Sequence, residues 1–203
     1  IETLIRENGA KLKTLDVYKK VKDDFIGINT YYTTANNKTT RRIYLDSTAS
    51  TLMMGVALRT AASFLKHYAN THSLMHFGAK ISTKTYNWVH RKILSFVGAD
   101  PDEYTCFFTG SGTTSGMNRL ARTFRQYRPD KDIVLVSIME HHSNDLPHRK
   151  HGGKVMHIPV DTHTSSMGCI DMKLLEKYLE EFSERVNYVS ITGISNVTGI
   201  INP

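Results

Sequence analysis

Apolar and polar positions along this chain follow two periods, and the period changes where one element gives way to the next. Up to about residue 40 the sequence is polar and weakly patterned, closing on Thr33-Thr34-Ala35-Asn36-Asn37-Lys38-Thr39-Thr40. That stretch reads as an arm and loop. The first strand pattern is Ile43-Tyr44-Leu45-Asp46, so the packed domain is expected over 43–203, with 1–42 as an N-terminal arm and loop. Leu52, Val56, Phe64 and Leu65 recur at helical spacing and predict a helix up to Tyr68, capped by Ser50 or Thr51. Ile81, Tyr86, Trp88, Val89, Ile93, Leu94 and Phe96 predict a second helix over 79–97, stopped by Gly98.

After Pro101 the pattern changes. Tyr104-Thr105-Cys106-Phe107-Phe108-Thr109 is a continuous β-prone run that breaks into Gly110-Ser111-Gly112-Thr113-Thr114 and then into helical spacing from Met117 to Phe124. Strand patterns recur at Ile133–Ser137, Lys154–Pro159 and Val186–Thr192, with a helix predicted from Met172 to Phe182. Strands alternating with helices predict an α/β fold, a mainly parallel sheet flanked by helices. From Ser195 to Pro203 the chain reads as a loop leaving a strand end, without a terminal helix. The sequence is therefore expected to be the front part of a longer protein.

Composition narrows the class. In 203 residues with 40% hydrophobic, 22% charged, 13 Gly and 5 Pro, collagen, low-complexity disorder and a coiled-coil rod are excluded. Lys and Arg number 26 against 19 Asp and Glu, a formal charge of +7, but they stand in ones and twos, as Lys19-Lys20 and Arg41-Arg42. Scattered basic residues suit an anionic substrate or cofactor better than nucleic acid. No run of 18 apolar residues occurs, so no membrane partner is expected. Cys106 and Cys169 are too few for a zinc ribbon or a disulfide framework, which favours a reducing cytoplasm.

Four polar clusters could carry chemistry. Gly110-Ser111-Gly112-Thr113-Thr114, between a strand and a helix, lets backbone N–H groups approach an anion at a helix N-terminus. It lacks the Lys of a P-loop and the spacing of a dinucleotide fingerprint, so it suits a single phosphate, or else it is a turn in which Thr113 merely caps a helix. Met139-Glu140-His141-His142-Ser143-Asn144 follows a strand and belongs at the carboxyl edge of the sheet, where α/β proteins bind ligands. The spacing of His142, His148 and His151 matches no strong metal signature, and no metal is expected. Ser195-Asn196 follows another strand, and Asn70-Thr71-His72-Ser73 lies between the two early helices, where a plain connecting loop is the simpler reading. No Gly-x-Ser-x-Gly elbow supports a catalytic serine.

Taken in order, Tyr44-Leu45-Asp46-Ser47-Thr48-Ala49, Asn70-Thr71-His72, Phe108-Thr109 with Gly112-Thr113-Thr114, Met139 to Asn144, and Ser195-Asn196-Val197-Thr198-Gly199 resemble the class V aminotransferase family, which includes cysteine desulfurases and selenocysteine lyases. The resemblance implies the large domain of a fold type I enzyme with pyridoxal 5'-phosphate as cofactor, an amino-acid substrate, and a homodimer when complete. It further implies that Gly112, Thr113 and Thr114 bind the cofactor phosphate and that His141 stacks on its ring as the catalytic residue. Asn196 would hydrogen-bond the ring hydroxyl, and His72 would stand on the substrate side. The family's ring-pairing Asp, its Schiff-base Lys and the desulfurase Cys lie beyond the segment matching Pro203, so the 203 residues alone are expected to be inactive. Ser73 stands where desulfurases usually carry Arg, and Gly-Ser lengthens the phosphate turn. These departures leave desulfuration, other elimination and transamination open. The rival expectation is a non-catalytic phosphate-binding or scaffold domain of the same fold.

Overall fold

In a computed structural model the described residues are 14–47, 49–163 and 168–203, and the chain divides into two compact units, Ile1–Cys106 and Phe107–Pro203. The first thirteen residues of the expected arm and Thr48 of the Tyr44–Ala49 segment lie outside the described residues.

The first unit holds helix α1 (Thr14–Asp23), an antiparallel hairpin of β1 (Tyr31–Thr33) and β2 (Thr39–Arg41), and helices α2 (Gly55–Leu65) and α3 (Phe77–Phe96). The polar stretch before residue 42 thus contains a helix and a hairpin. Asn37, at φ 60 in the tip, supplies the left-handed residue that the reversal requires. Ile43–Asp46 forms no strand; among the described residues it has no ladder partner, and Ile43 and Leu45 are exposed. Neither Ser50 nor Thr51 caps α2. Its N-cap is Met54, and the Asp24 carboxylate accepts the Val56 N–H at 2.7 Å while the Asp24 carbonyl accepts the Gly55 N–H at 2.7 Å. The cap therefore comes from a residue remote in sequence. α3 matches the expected span and ends at Gly98, whose φ of 69 is the left-handed stop.

The second unit is a parallel three-stranded sheet in the order β4-β3-β5, where β3 is Ile133–Ser137, β4 is Lys154–Ile158 and β5 is Val186–Ser190. Helix α4 (Gly112–Tyr127) precedes β3, α5 (His142–His151) joins β3 to β4, and α6 (Met172–Glu181) joins β4 to β5. β3 is central and buried along its whole length, which is why its sequence is apolar without alternation. Ile133 and Leu135 pack with Ile158, Ile170, Leu175 and Val186, placing α6 over that face. Val134 lies toward α5, where a Cβ on Gly152 would come within 3.0 Å of it. The register between β3 and β5 shifts between Ile133 and Val134, so Asn187 is an extra residue. Its amide donates to the carbonyls of Phe124, Lys131 and Arg128 and so anchors the C-terminal end of α4 at the amino-terminal half of β5. Tyr104–Thr109 is in no strand: among the described residues it has no ladder partner, and Phe107 and Phe108 are exposed. A strand pattern signals propensity, whereas a strand exists only where a neighbour accepts its N–H groups.

Candidate functional site

Because β3 and β5 are parallel, the segments that follow Ser137 and Ser190 leave the same carboxyl edge of the sheet. After β3 the chain reaches Glu140, and His141 is the N-cap of α5. Its Nδ1 accepts the Ser143 N–H at 3.0 Å and lies 2.8 Å from the Ser143 hydroxyl. A capping Nδ1 is an acceptor, so the neutral ring carries its proton on Nε2, and His141 is otherwise exposed. Most of the segment between β3 and β4 is this helix. Its carboxylate Asp145 is ion-paired to Arg149 at 2.8 Å and hydrogen-bonded to His157 of β4 at 2.8 Å. Burial works to raise the Asp145 carboxyl, but the hydrogen bonds from Arg149 and His157 outweigh it and hold it below its ordinary range.

After β5, Ser195 is buried and closes a tight turn. Its Oγ accepts the Val197 and Thr198 N–H groups at 3.3 and 3.2 Å, and its N–H donates to the Ile200 carbonyl at 2.9 Å. Asn196 rides exposed on this turn. The segment leading to it is gripped at Thr192 from both sides: the N–H donates to Glu140 Oε1, and the carbonyl accepts the Asn202 amide at 2.7 Å. The Glu140 bond ties the loop bearing His141 to the segment bearing Asn196.

Gly112, Thr113 and Thr114 form the first turn of α4. Thr113 does not cap the helix. The N-cap is Ser111, at φ 56 in the left-handed region, and its side chain makes no capping bond. A Cβ at Gly110 or Gly112 would meet nothing within 4 Å, so the glycines leave open space before the first amides of the helix. Uncapped N–H groups at the end of a 16-residue helix, with two threonine hydroxyls beside them, are a fitting cradle for a phosphate. His72 belongs to the first unit. Its N–H donates to Asn70 Oδ1 at 3.0 Å, and the turn is stapled to α3 by the Ser82 hydroxyl, which accepts from the Ala69 N–H at 2.9 Å, and by the Thr83 hydroxyl, which donates to the Thr71 carbonyl at 3.1 Å.

Asn202, Ser82 and Thr83 escape the sequence reading as positioning groups, and Glu140 enters it only as a member of a polar cluster. Of these only Glu140 carries a signal, being a carboxylate just past the end of a fully buried strand, where it needs matching donors.

Among known proteins, the Aminotransferase class-V family pattern matches residues 43–203. A cysteine desulfurase of Pectobacterium atrosepticum is 31% identical over 166 residues, covering 79% of this chain and 39% of that protein. A solved NifS-like protein superposes with a TM-score of 0.69 at 26% identity, over 80% of this chain and 43% of that one. An apo cysteine desulfurase from Thermococcus onnurineus gives the same TM-score, 0.69, at 24% identity over 91% of this chain and 42% of that one, a likeness of fold. The chain thus spans about two-fifths of the length of the relatives it matches. With its parallel sheet flanked by helices and the family pattern running across four-fifths of its length, this chain belongs to the class V aminotransferase family.

Proposed function

We propose that these residues form the phosphate- and ring-binding part of a pyridoxal-phosphate enzyme that acts on amino acids in the manner of a cysteine desulfurase. The observation that carries the reading is the open, uncapped N-terminus of α4 in the same unit as the joined carboxyl-edge segments bearing His141 and Asn196. Anchoring of the C-terminal end of α4 beside the start of β5 supports an N-terminus directed toward that edge.

Bound there, pyridoxal phosphate supplies an electron sink for the carbanion developing at the amino acid's α-carbon. Gly112, Thr113 and Thr114 hold the phosphate through backbone N–H and hydroxyl groups. His141 offers a flat ring for stacking, and its Nε2, left free by the capping role of Nδ1, holds or moves a proton. Asn196 orients the ring through its hydroxyl. Free Cys106 and Cys169 accord with a reducing cytoplasm, and a homodimer is part of the same proposal. Among the described residues no helix is long and apolar enough to cross a membrane.

The test compares binding of pyridoxal phosphate with binding of inorganic phosphate by equilibrium dialysis. Gly112→Ala, which forces a Cβ onto a φ of 65, should weaken both ligands, whereas Asn196→Ala should weaken only the cofactor, by roughly tenfold for one lost hydrogen bond. Equal affinities for the two ligands, unaffected at Asn196, would establish the rival reading of a phosphate-binding scaffold domain. Sulfide or alanine release from L-cysteine by the full-length protein tests the substrate class.

A further inference from the structure

Behind His141 and Asn196 runs a chain of polar side chains whose donor and acceptor order can be worked out from one end. Glu140 starts it. Its Oε1 receives the Ser137 hydroxyl at 2.6 Å and the Thr192 N–H, and its Oε2 receives the Asn144 amide at 2.6 Å. A carboxylate only accepts, so Asn144 must present Nδ2 to it and Oδ1 away from it. That Oδ1 accepts the Ser190 hydroxyl at 3.1 Å and faces His148 Nε2 at 3.0 Å. His148 Nε2 is thereby a donor. Its Nδ1, 2.9 Å from the Tyr188 hydroxyl, is then the acceptor of the neutral ring.

The chain spans β3, α5 and β5 and is largely enclosed: His148 is 1% exposed, and it lies 5.4 Å from the Tyr188 ring between centroids. Burial favours the neutral imidazole, against the pull of Glu140 and Asp145, and pushes the Tyr188 hydroxyl up to about 12. Ser190 Oγ also lies 3.1 Å from His148 Nε2, but a hydroxyl serves either direction, so Asn144 fixes the His148 step and Glu140 fixes Asn144.

We propose that Glu140 is a positioning residue: its carboxylate clamps the Asn196-bearing segment to the His141-bearing loop and dictates the hydrogen-bond polarity from Asn144 through His148 to Tyr188. Its effect on cofactor binding rests on the function proposed above. The clamp and the polarity do not. Replacing the carboxylate by an amide of the same shape reverses the chain. In Glu140→Gln the amide nitrogen becomes a donor toward Asn144, which must turn its Oδ1 to meet it and so offer Nδ2 to His148. His148 Nε2 then accepts, and its proton moves to Nδ1 to face Tyr188.

The experiment uses the full chain with labelled histidine imidazoles, the His148 signal being assigned by its loss in His148→Gln. Nitrogen chemical shifts should report the Nε2–H tautomer in the wild type and the Nδ1–H tautomer in Glu140→Gln. Glu140→Ala, which removes the clamp, should speed hydrogen exchange at the Thr192 amide by roughly tenfold or more, the loss of one charge-assisted bond. An unchanged His148 tautomer in Glu140→Gln overturns the polarity, and unchanged Thr192 exchange in Glu140→Ala overturns the clamp. Should Glu140→Ala not fold, Glu140→Gln still decides the polarity, and Glu140→Asp, whose shorter side chain cannot span Thr192 and Asn144 together, decides the clamp by the same exchange readout. Pyridoxal phosphate dialysis completes the set: binding by the wild type that falls in Glu140→Ala supports the positioning role. A wild type that binds none refutes the proposed function alone, leaving the tautomer and exchange results to judge Glu140.

Discussion

The two units differ in what their apolar residues achieve. In the second, all of β3 is buried, with Ile133, Val134, Leu135 and Val136 at 0% exposure. In the first, α3 carries a comparable supply of large apolar residues but buries only Ala79 and Ser82, while Phe96 remains 88% and Trp88 54% exposed. Period alone makes a helix amphipathic; burial needs an opposing layer. The parallel sheet offers two faces, and helices fill both. Within the first unit α3 is held at its amino-terminal half by polar staples, from Ser82 and Thr83 to the His72 turn and from His76, which caps the helix by accepting the Ala79 N–H at 3.3 Å, and by an edge-on contact of Phe77 with the His67 ring at 6.4 Å.

Substitutions can break this contrast or sharpen it. The largest effect is expected for Leu135→Ala, which should destabilise the second unit by about 2–5 kcal/mol in urea unfolding. The matching Phe96→Ala should change stability by no more than about 0.5 kcal/mol, since its ring is already in solvent. Equal losses would end the comparison. Next comes Gly152→Ala. Its Cβ would sit 2.8 Å from the His148 carbonyl oxygen and 3.2 Å from the Tyr188 hydroxyl, so overpacking should cost about 1–3 kcal/mol, measured in the same way. Asp171→Ala removes the carboxylate that accepts the Leu174 N–H at 3.0 Å at the start of α6, and a lost cap is worth about 0.5–2 kcal/mol, read as a fall in melting temperature.

The smallest effect is a pH dependence confined to the second unit. Burial holds the His148 imidazole below its ordinary value of 6.5, so the unfolded chain takes up that proton first. The associated stability is full above about pH 6.5 and is lost as the pH falls through 6.5 toward the folded value. Asp145 behaves separately, because its carboxyl is held below 3.8 and its contribution persists until the pH falls below that value. Melting temperatures across this range should therefore show an early decline, shared with His151, that His148→Gln reduces and a later one that it leaves in place.

Local pattern carried much of the architecture. β3 matches its expected span of Ile133–Ser137, and β4 and α6 match theirs to within a residue, because a continuous apolar run and an i, i+3, i+4 stripe each have one economical burial. Where pattern misled, the outcome turned on contacts remote in sequence. Among the described residues Ile43–Asp46 and Tyr104–Thr109 have strand composition but join no ladder, and Ser50 and Thr51 have capping chemistry while Asp24 does the capping. The hairpin near Asn37 and the helix Thr14–Asp23 were hidden by polar composition, since neither buries a stripe wide enough to mark its period.

The sequence by itself determined the alternation of strand and helix, the glycine-rich turn before α4, and the family to which the order of motifs belongs, because each of these is written in neighbouring residues. Only the tertiary structure decided that His141 caps a helix and so frees Nε2, that Glu140 reaches fifty-two residues along the chain to Thr192, and that Asn187 and Asn202 fix the end of α4 and the Asn196 turn. Such bonds join groups far apart in the chain, and their direction is set by which partner can donate. A linear pattern names the groups, but the folded geometry alone says which of them meet.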